Sequence, residues 1–196
     1  QSEVLHLFNQ TAREVCEGQQ LDMDFENRDQ VAIDEYLRMI ELKTSVLLAA
    51  SLQLGSMLGG ATQRNQERLY EFGRKLGLAF QVQDDYLDAF GDPEKFGKQV
   101  GGDILANKKT FLLIHALEVA DLSTKAELMQ LMQENPADKV ARILGVFRKT
   151  GVDAWALELK KRFLNEAMSA LDDIAVLSVR KKPLIDLAHY LIQREH

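Results

Sequence analysis

A chain of 196 residues with 46% hydrophobic and 28% charged residues has the material for one sizeable buried core and is too apolar for a disordered segment. A formal net charge of −6 gives no electrostatic footprint for nucleic acid, and the single cysteine, Cys16, excludes an internal disulfide framework and suits a reducing, cytoplasmic compartment. The longest uncharged apolar run, VLLAASLQLGSML from Val46 to Leu58, is too short to span a bilayer and holds Ser, Gln and Gly, so it predicts a buried helix and no transmembrane segment.

In chain order, Val4, Leu5, Phe8, Ala12, Val15 and Cys16 recur at helical spacing and predict an amphipathic first helix with Cys16 packed in its apolar side. A second helix is expected to start near Asp29 as its cap and to run through YLRMIELKTSVLLAASLQLGSML to a stop at Gly59-Gly60. A third spans about Gln63 to Phe90. The longest break follows, GDPEKFGKQVGGDILANKK, with Pro93 and the glycines at 91, 97, 101 and 102. Thr110 to Val119 reads as helix, and Thr124 with Glu127 suggests a capping box for the next one. Pro136 is expected to open a helix that ends at Lys149-Thr150-Gly151, and Val152 to Ile174 and Pro183 to Arg194 supply two more. None of the three prolines falls inside a periodic segment, and no β-alternation or fixed-period repeat is visible. The fold class is all-α.

The third helix ends in FQVQDDYLDAF, where Asp84, Asp85 and Asp88 stand among Phe80, Val82, Tyr86, Leu87 and Phe90. Like charges at i,i+4 spacing cost a helix about 0.2–0.5 kcal/mol, and burying one of them unpaired costs far more. Asp84 and Asp88 lie one turn apart with Asp85 on their flank and Gln81 on the same side. A hard divalent cation with oxygen ligands would neutralise such a cluster, and magnesium binds through one or two carboxylates plus substrate phosphates. The plain alternative is a solvated acidic helix face. The apolar flanks and the Gly-rich loop that follows favour a site.

Lys98, Lys108 and Lys109 follow in that loop and suit phosphate oxygens, or simply solvent. The loop is not a nucleotide P-loop, because its glycine spacing is wrong and Lys98 is followed by Gln99. Lys43, beside Thr44, is a cation among Leu42, Val46 and Leu47, with Glu35 and Glu41 as possible partners. It either snorkels from a helix edge or holds an anion. The four histidines, His6, His115, His189 and His196, show no paired-ligand spacing and read as packing or surface residues.

These residues resemble the trans-isoprenyl (polyprenyl) diphosphate synthases. FQVQDDYLD is similar to that family's second aspartate-rich motif, KTSVLLAASLQLGSMLGG to its Lys-Thr helix, and GKQVGGDILANKKTF to the loop after the motif. EVCEGQQLD is similar to the segment just upstream, so the resemblance runs from about Thr11 to Leu117, and from Glu118 onward only the helical pattern supports it. It implies an all-helical isoprenoid-synthase bundle around a deep central cavity, and a magnesium-dependent condensation of isopentenyl diphosphate with an allylic diphosphate. It further implies that Asp84, Asp85 and Asp88 ligate Mg2+, that Lys43, Lys98 and Lys108 contact diphosphate, and that Gln81 orients it. Thr44 would lie at a helix kink near the reacting carbons, Phe80 near the isopentenyl group, and Asp103 would help close the loop, with Lys109 left exposed. A homodimer is the expected assembly.

One departure is large: the family's first aspartate-rich motif has no counterpart here, since Asp172-Asp173 lacks a third aspartate at the needed spacing. The resemblance therefore implies one all-helical domain over residues 1–196 forming the C-terminal portion of a longer prenyl synthase, inactive by itself. A non-catalytic partner subunit of a heteromeric synthase is the alternative, and the intact Asp84, Asp85, Asp88, Lys43 and Lys98 argue against it. A terpene cyclase would carry a different second metal motif.

Overall fold

The computed structural model describes residues 2–92 and 100–193. Its elements are α1 (Ser2–Glu26), α2 (Ile33–Ile40), a π-helical segment (Glu41–Ser45), α3 (Val46–Leu58), α4 (Gln63–Phe90), α5 (Gly102–Leu105), α6 (Phe111–Val119), α7 (Leu122–Glu134), α8 (Lys139–Lys149), α9 (Val152–Asp172) and α10 (Ser178–Gln193). No strand occurs among the described residues.

α4 is the central strut, packed along α9 on one side and along α3 on the other. That position explains its burial pattern. Phe72, Leu76, Ala79, Val82 and Leu87 are buried, and so are Gly73 and Gly77. α9 answers with a clean helical stripe of Val152, Ala156, Leu159, Phe163, Ala167 and Ala170. Each such large side chain removed from water contributes about 1.5–3 kcal/mol. The glycines of α4 serve the other interface. A Cβ on Gly73 would stand 2.7 Å from Ala49 Cα, and one on Gly77 2.7 Å from Ser45 Cα, so the two helices meet backbone to backbone.

The second sequence helix is not uniform. Val46 N–H bonds to Glu41 O, five residues back, which makes Glu41–Ser45 a π-turn between α2 and α3. Its start is also later than expected. The N-cap is Ala32, whose N–H is held by the Glu35 carboxylate at 3.0 Å, with Arg28 gripping both oxygens of Glu35 at 2.8 and 3.0 Å. Asp29 lies upstream of buried Val31, so it is too far from the first turn to cap it.

Three further expectations are corrected. Helix α7 is capped by Asp121, whose carboxylate accepts from the Thr124 N–H at 2.7 Å, so Thr124 lies inside the helix and Glu127 pairs with Arg142 at 3.2 Å. The Asp121 carboxyl is held down at about 2 by those hydrogen bonds, the backbone one first. Pro183 lies inside α10, which starts at Ser178 because buried Lys181 donates to Asp172 O at 2.7 Å and anchors the turn before the proline. Cys16 is exposed, because α1 buries Thr11, Gly18 and Phe25 and not its apolar stripe.

That stripe faces an apolar groove of about 360 Å³ between α1 and α3, lined by Val4, Phe8, Ala12, Val15, Leu47 and Leu54. No helix among the described residues is long and apolar enough to cross a membrane.

Candidate diphosphate and metal site

The aspartates of α4 are placed by the helix period. Gln81, Asp84 and Asp88 are partly exposed along one face, whereas Asp85, a hundred-degree step around, points into the core and is 5% exposed. Tyr36 of α2 donates its hydroxyl to Asp85 Oδ2 at 2.6 Å, and Tyr36 is itself 2% exposed. Burial pushes the Asp85 carboxyl up to about 7, although the Tyr36 hydrogen bond and the nearby Lys108 charge act in the opposite sense. Burial likewise pushes the Tyr36 phenol well up, and the adjacent Asp85 charge adds to it. Behind the pair, aromatic rings meet in tilted contacts, Tyr36 with Phe111 at 6.3 Å and Phe111 with Trp155 at 5.7 Å between centroids.

Asp88 is engaged by the returning loop. Asp103 N–H donates to Asp88 Oδ2 at 3.0 Å and Gly101 N–H to Asp88 O at 2.6 Å. Gly101 has φ +83°, where only glycine sits without strain, and its added Cβ would also strike Val140. Burial raises the Asp88 carboxyl, and the Asp103 N–H offsets part of that rise. Lys108 approaches Asp103 at 3.4 Å. Partial burial pushes Lys108 down, but the charges of Asp85 and Asp103 outweigh it and hold its ammonium above the ordinary value.

The π-turn carries the remaining candidates, Lys43 and Thr44. Lys43, half-exposed, donates to Asp22 Oδ2 of α1 at 2.6 Å, so neither Glu35 nor Glu41 is its partner. Glu41 instead bonds Arg38 at 2.7 Å and Arg74 of α4 at 2.6 Å. A Cβ on Gly18 of α1 would overlap the backbone nitrogen of Lys43. The turn is thereby clamped by α1 and α4 together. Thr44 lies within it, partly exposed, and Phe80 and Gln81 are also partly exposed on α4. A π-turn inserts one residue in the helical ladder and re-aims the side chains at it, and such turns recur at functional sites.

Among the sequence-derived residues, Asp84, Asp85, Asp88, Asp103 and Lys108 form one electrostatic neighbourhood. Lys98 lies outside the described residues. Lys109 is not a free surface lysine, because its ammonium donates to Phe25 O at 2.9 Å and Glu26 O at 3.2 Å at the end of α1. Sequence reasoning missed two members, Asp22 and Tyr36. Asp22 closes the EVCEGQQLD segment and had a signal. Tyr36 had none, because its partner is 49 positions away. Lys139 was missed as well. It is fully buried, donates to Asn107 Oδ1 at 2.6 Å and Asn135 Oδ1 at 3.2 Å, and ties the Lys108 loop to the α7–α8 turn.

No group of three carboxylate, histidine or cysteine side chains among the described residues converges tightly enough to enclose a metal. The donor set still fits magnesium in its usual protein form, in which one or two carboxylates share the ion with phosphate oxygens and water. Asp84 and Asp88 would hold it. Bound there, the ion would supply positive charge able to neutralise anionic oxygens of a ligand.

The sequence matches the polyprenyl synthetase family model over residues 1–147, beyond the stretch in which its motifs resemble that family. It is 35% identical over 182 residues to the short chain isoprenyl diphosphate synthase of Methanothermobacter thermautotrophicus, covering 93% of this chain and 56% of the relative. To the geranylgeranyl diphosphate synthase of Methanosarcina mazei it is 36% identical over 195 residues, 98% of this chain and 58% of the relative. The crystal structure of a geranylgeranyl pyrophosphate synthetase from Pyrococcus horikoshii superposes with a TM-score of 0.91 at 33% identity, over 98% of this chain and 59% of that one. The chain thus spans less than two thirds of the length of these relatives. It belongs to the polyprenyl synthetase family and has the all-α isoprenyl synthase fold.

Proposed function

We propose that the protein is a magnesium-dependent prenyltransferase that condenses isopentenyl diphosphate with an allylic diphosphate to give a longer polyprenyl diphosphate, in the cytoplasm and as a homodimer. The observation that carries this reading is that Asp84 and Asp88 stand with Gln81 on one partly exposed face of α4, with the loop residues Asp103 and Lys108 beside them. Relatives named as isoprenyl and geranylgeranyl diphosphate synthases support it.

In this reading the allylic C–O bond breaks with its electron pair leaving on the diphosphate. Lys43 and Lys108 stabilise that growing negative charge from fixed positions, at no reorganisation cost during the step. Gln81 orients the diphosphate. Asp103, whose N–H already bonds to Asp88, draws the loop over the site. Phe80 packs against the isopentenyl group, and Thr44 sits in the π-turn beside the reacting carbons. The family resemblance would give Lys98 a further diphosphate-binding role.

The test is an assay of the whole protein with isopentenyl diphosphate and an allylic diphosphate. Magnesium-dependent formation of a longer prenyl diphosphate, lost in Asp84→Ala, is the expected result, with no turnover by residues 1–196 alone. A whole protein that turns over no allylic diphosphate under any divalent cation overturns the reading.

A further inference from the structure

We propose that Lys139 is a positioning residue for diphosphate binding: from inside the fold its ammonium grips two asparagine turns and thereby fixes Lys108. The inference rests on the prenyltransferase reading and concerns a residue outside the acidic motif and the loop that follows it.

The starting observation is a lysine placed against two local rules. Lys139 opens α8 and is fully buried. A cation in the first turn of a helix faces the positive end of the helix dipole, and burial takes away its water. An apolar side chain of like volume would avoid both costs. What the charge adds is a directed grip on two separate turns. The ammonium donates to Asn107 Oδ1 at 2.6 Å and to Asn135 Oδ1 at 3.2 Å.

Both asparagines stand in the left-handed region, Asn107 at φ +54° and Asn135 at φ +49°, and no other non-glycine residue among those described does so. Asparagine tolerates that conformation because its short amide can bond locally. Asn135 ends α7. Asn107 follows α5 and is bonded a second time, its amide nitrogen donating to Met132 O of α7 at 3.2 Å. It is therefore held by α7 and α8 at once.

Lys108 is the next residue, and it is exposed. Its N–H donates to Asp103 O at 2.9 Å, and its ammonium stands 3.4 Å from the Asp103 carboxylate. The turn at Asn107 thus sends adjacent side chains opposite ways, Asn107 toward α7 and α8, and Lys108 toward the acidic neighbourhood of α4. α8 braces the other end of the same segment as well. A Cβ on Gly101 would stand 2.6 Å from Val140 Cγ1, and Val140 directly follows Lys139. The first turn of α8 is the platform on which residues 101–108 rest. A lysine has a long flexible stem, so fixing its backbone from behind lessens the ordering left to be done when an anion binds.

The experiment is calorimetric titration of the whole protein with inorganic pyrophosphate in saturating Mg2+. The proteins are wild type, Lys139→Met, Asn107→Gly, Lys108→Ala and the two double variants built on Lys108→Ala, with circular dichroism to verify folding. Lys108→Ala is expected to weaken pyrophosphate binding about tenfold or more, and Lys139→Met about three- to tenfold. Asn107→Gly, which permits the left-handed turn but loses the grip, should reproduce the Lys139→Met loss. The deciding readout is coupling. In the Lys108→Ala background neither substitution should weaken binding further by more than about twofold, because the residue they position is gone. Losses of equal size in both backgrounds mark a merely structural lysine and overturn the proposal, as does wild-type affinity in a folded Lys139→Met. Should Lys139→Met fail to fold, the Asn107→Gly cycle decides alone. An unaltered affinity in Lys108→Ala removes the residue to be positioned and overturns the proposal too. Wild-type protein without any Mg2+-dependent pyrophosphate binding sinks the prenyltransferase reading itself.

Discussion

The two halves of α1 are one continuous helix in two different physical situations. Its C-terminal half is closed. Gly18 lies against the backbone of Lys43, Asp22 bonds the Lys43 ammonium at 2.6 Å, Phe25 is buried, and Lys109 caps the last carbonyls. Its N-terminal half presents Phe8, 66% exposed, to an open groove shared with Leu47 of α3, and leaves Leu5 60% exposed beside it in sequence. The closed half holds by small residues and polar ties, and the open half carries the apolar periodicity. An apolar stripe states that something is to be covered. It does not state what covers it.

Substitutions on the closed half should have the larger effects. Lys43→Ala in the whole protein is expected to lower kcat by about a hundredfold or more with a smaller change in KM, the loss typical of one preorganised charge-stabilising group, about 3 kcal/mol. Steady-state kinetics decide it, with Lys161→Ala, exposed on α9, as the control. Equal kcat in both variants would make Lys43 a residue that only clamps α1. Gly18→Ala should follow, destabilising by about 1–3 kcal/mol in urea unfolding, because its Cβ has backbone and not a flexible side chain in its way. A neutral result would show that α1 slides along the π-turn.

A buried tie next to that region, between Tyr36 of α2 and Asp85 of α4, titrates. The Asp85 carboxyl is pushed to about 7 in the folded protein from an ordinary 3.8, so the folded state binds its proton more tightly than the unfolded chain. Its stabilisation is fully present below about pH 4 and is lost as the pH rises through about 7. Unfolding free energy measured across that window should decline in wild type without metal and lose that part of its slope in Asp85→Asn. The smallest effect belongs to the open half. Phe8→Ser should change the stability of this chain by no more than about 0.5 kcal/mol, as expected at an exposed position. A loss several times larger would reveal that this face is covered in solution.

Much of the site was legible because helices make distant spacing local. The i,i+4 interval of Asp84 and Asp88 puts both on one face whatever packs around them, and Gln63–Phe90 is found in the structure with the bounds its periodicity suggests. The same interval cannot tell which neighbour turns inward. Asp85 is adjacent to Asp84 in sequence, yet its environment is set by Tyr36 on another helix. Partners of cations were misread for the same reason. Glu41 was the near candidate for Lys43, but a π-turn rotates that stretch, sending Glu41 to Arg74 and Lys43 to Asp22.

What the sequence determined by itself is whatever repeats within one helix: the all-α class, most helix spans, the acidic face, and through its motifs the family. What only the tertiary structure decided is what depends on contacts between helices. Gly18, Gly73 and Gly77 gain meaning only where backbones meet, and a glycine in a helix has no other local advantage. Lys139 is a charged residue in an ordinary amphipathic pattern, yet it is fully buried because two asparagine oxygens from separate turns converge on it. The division has one physical cause. Helical periodicity is a short-range property of the backbone, whereas burial and hydrogen-bond partnership are settled by which helices pack together, and at what rotation.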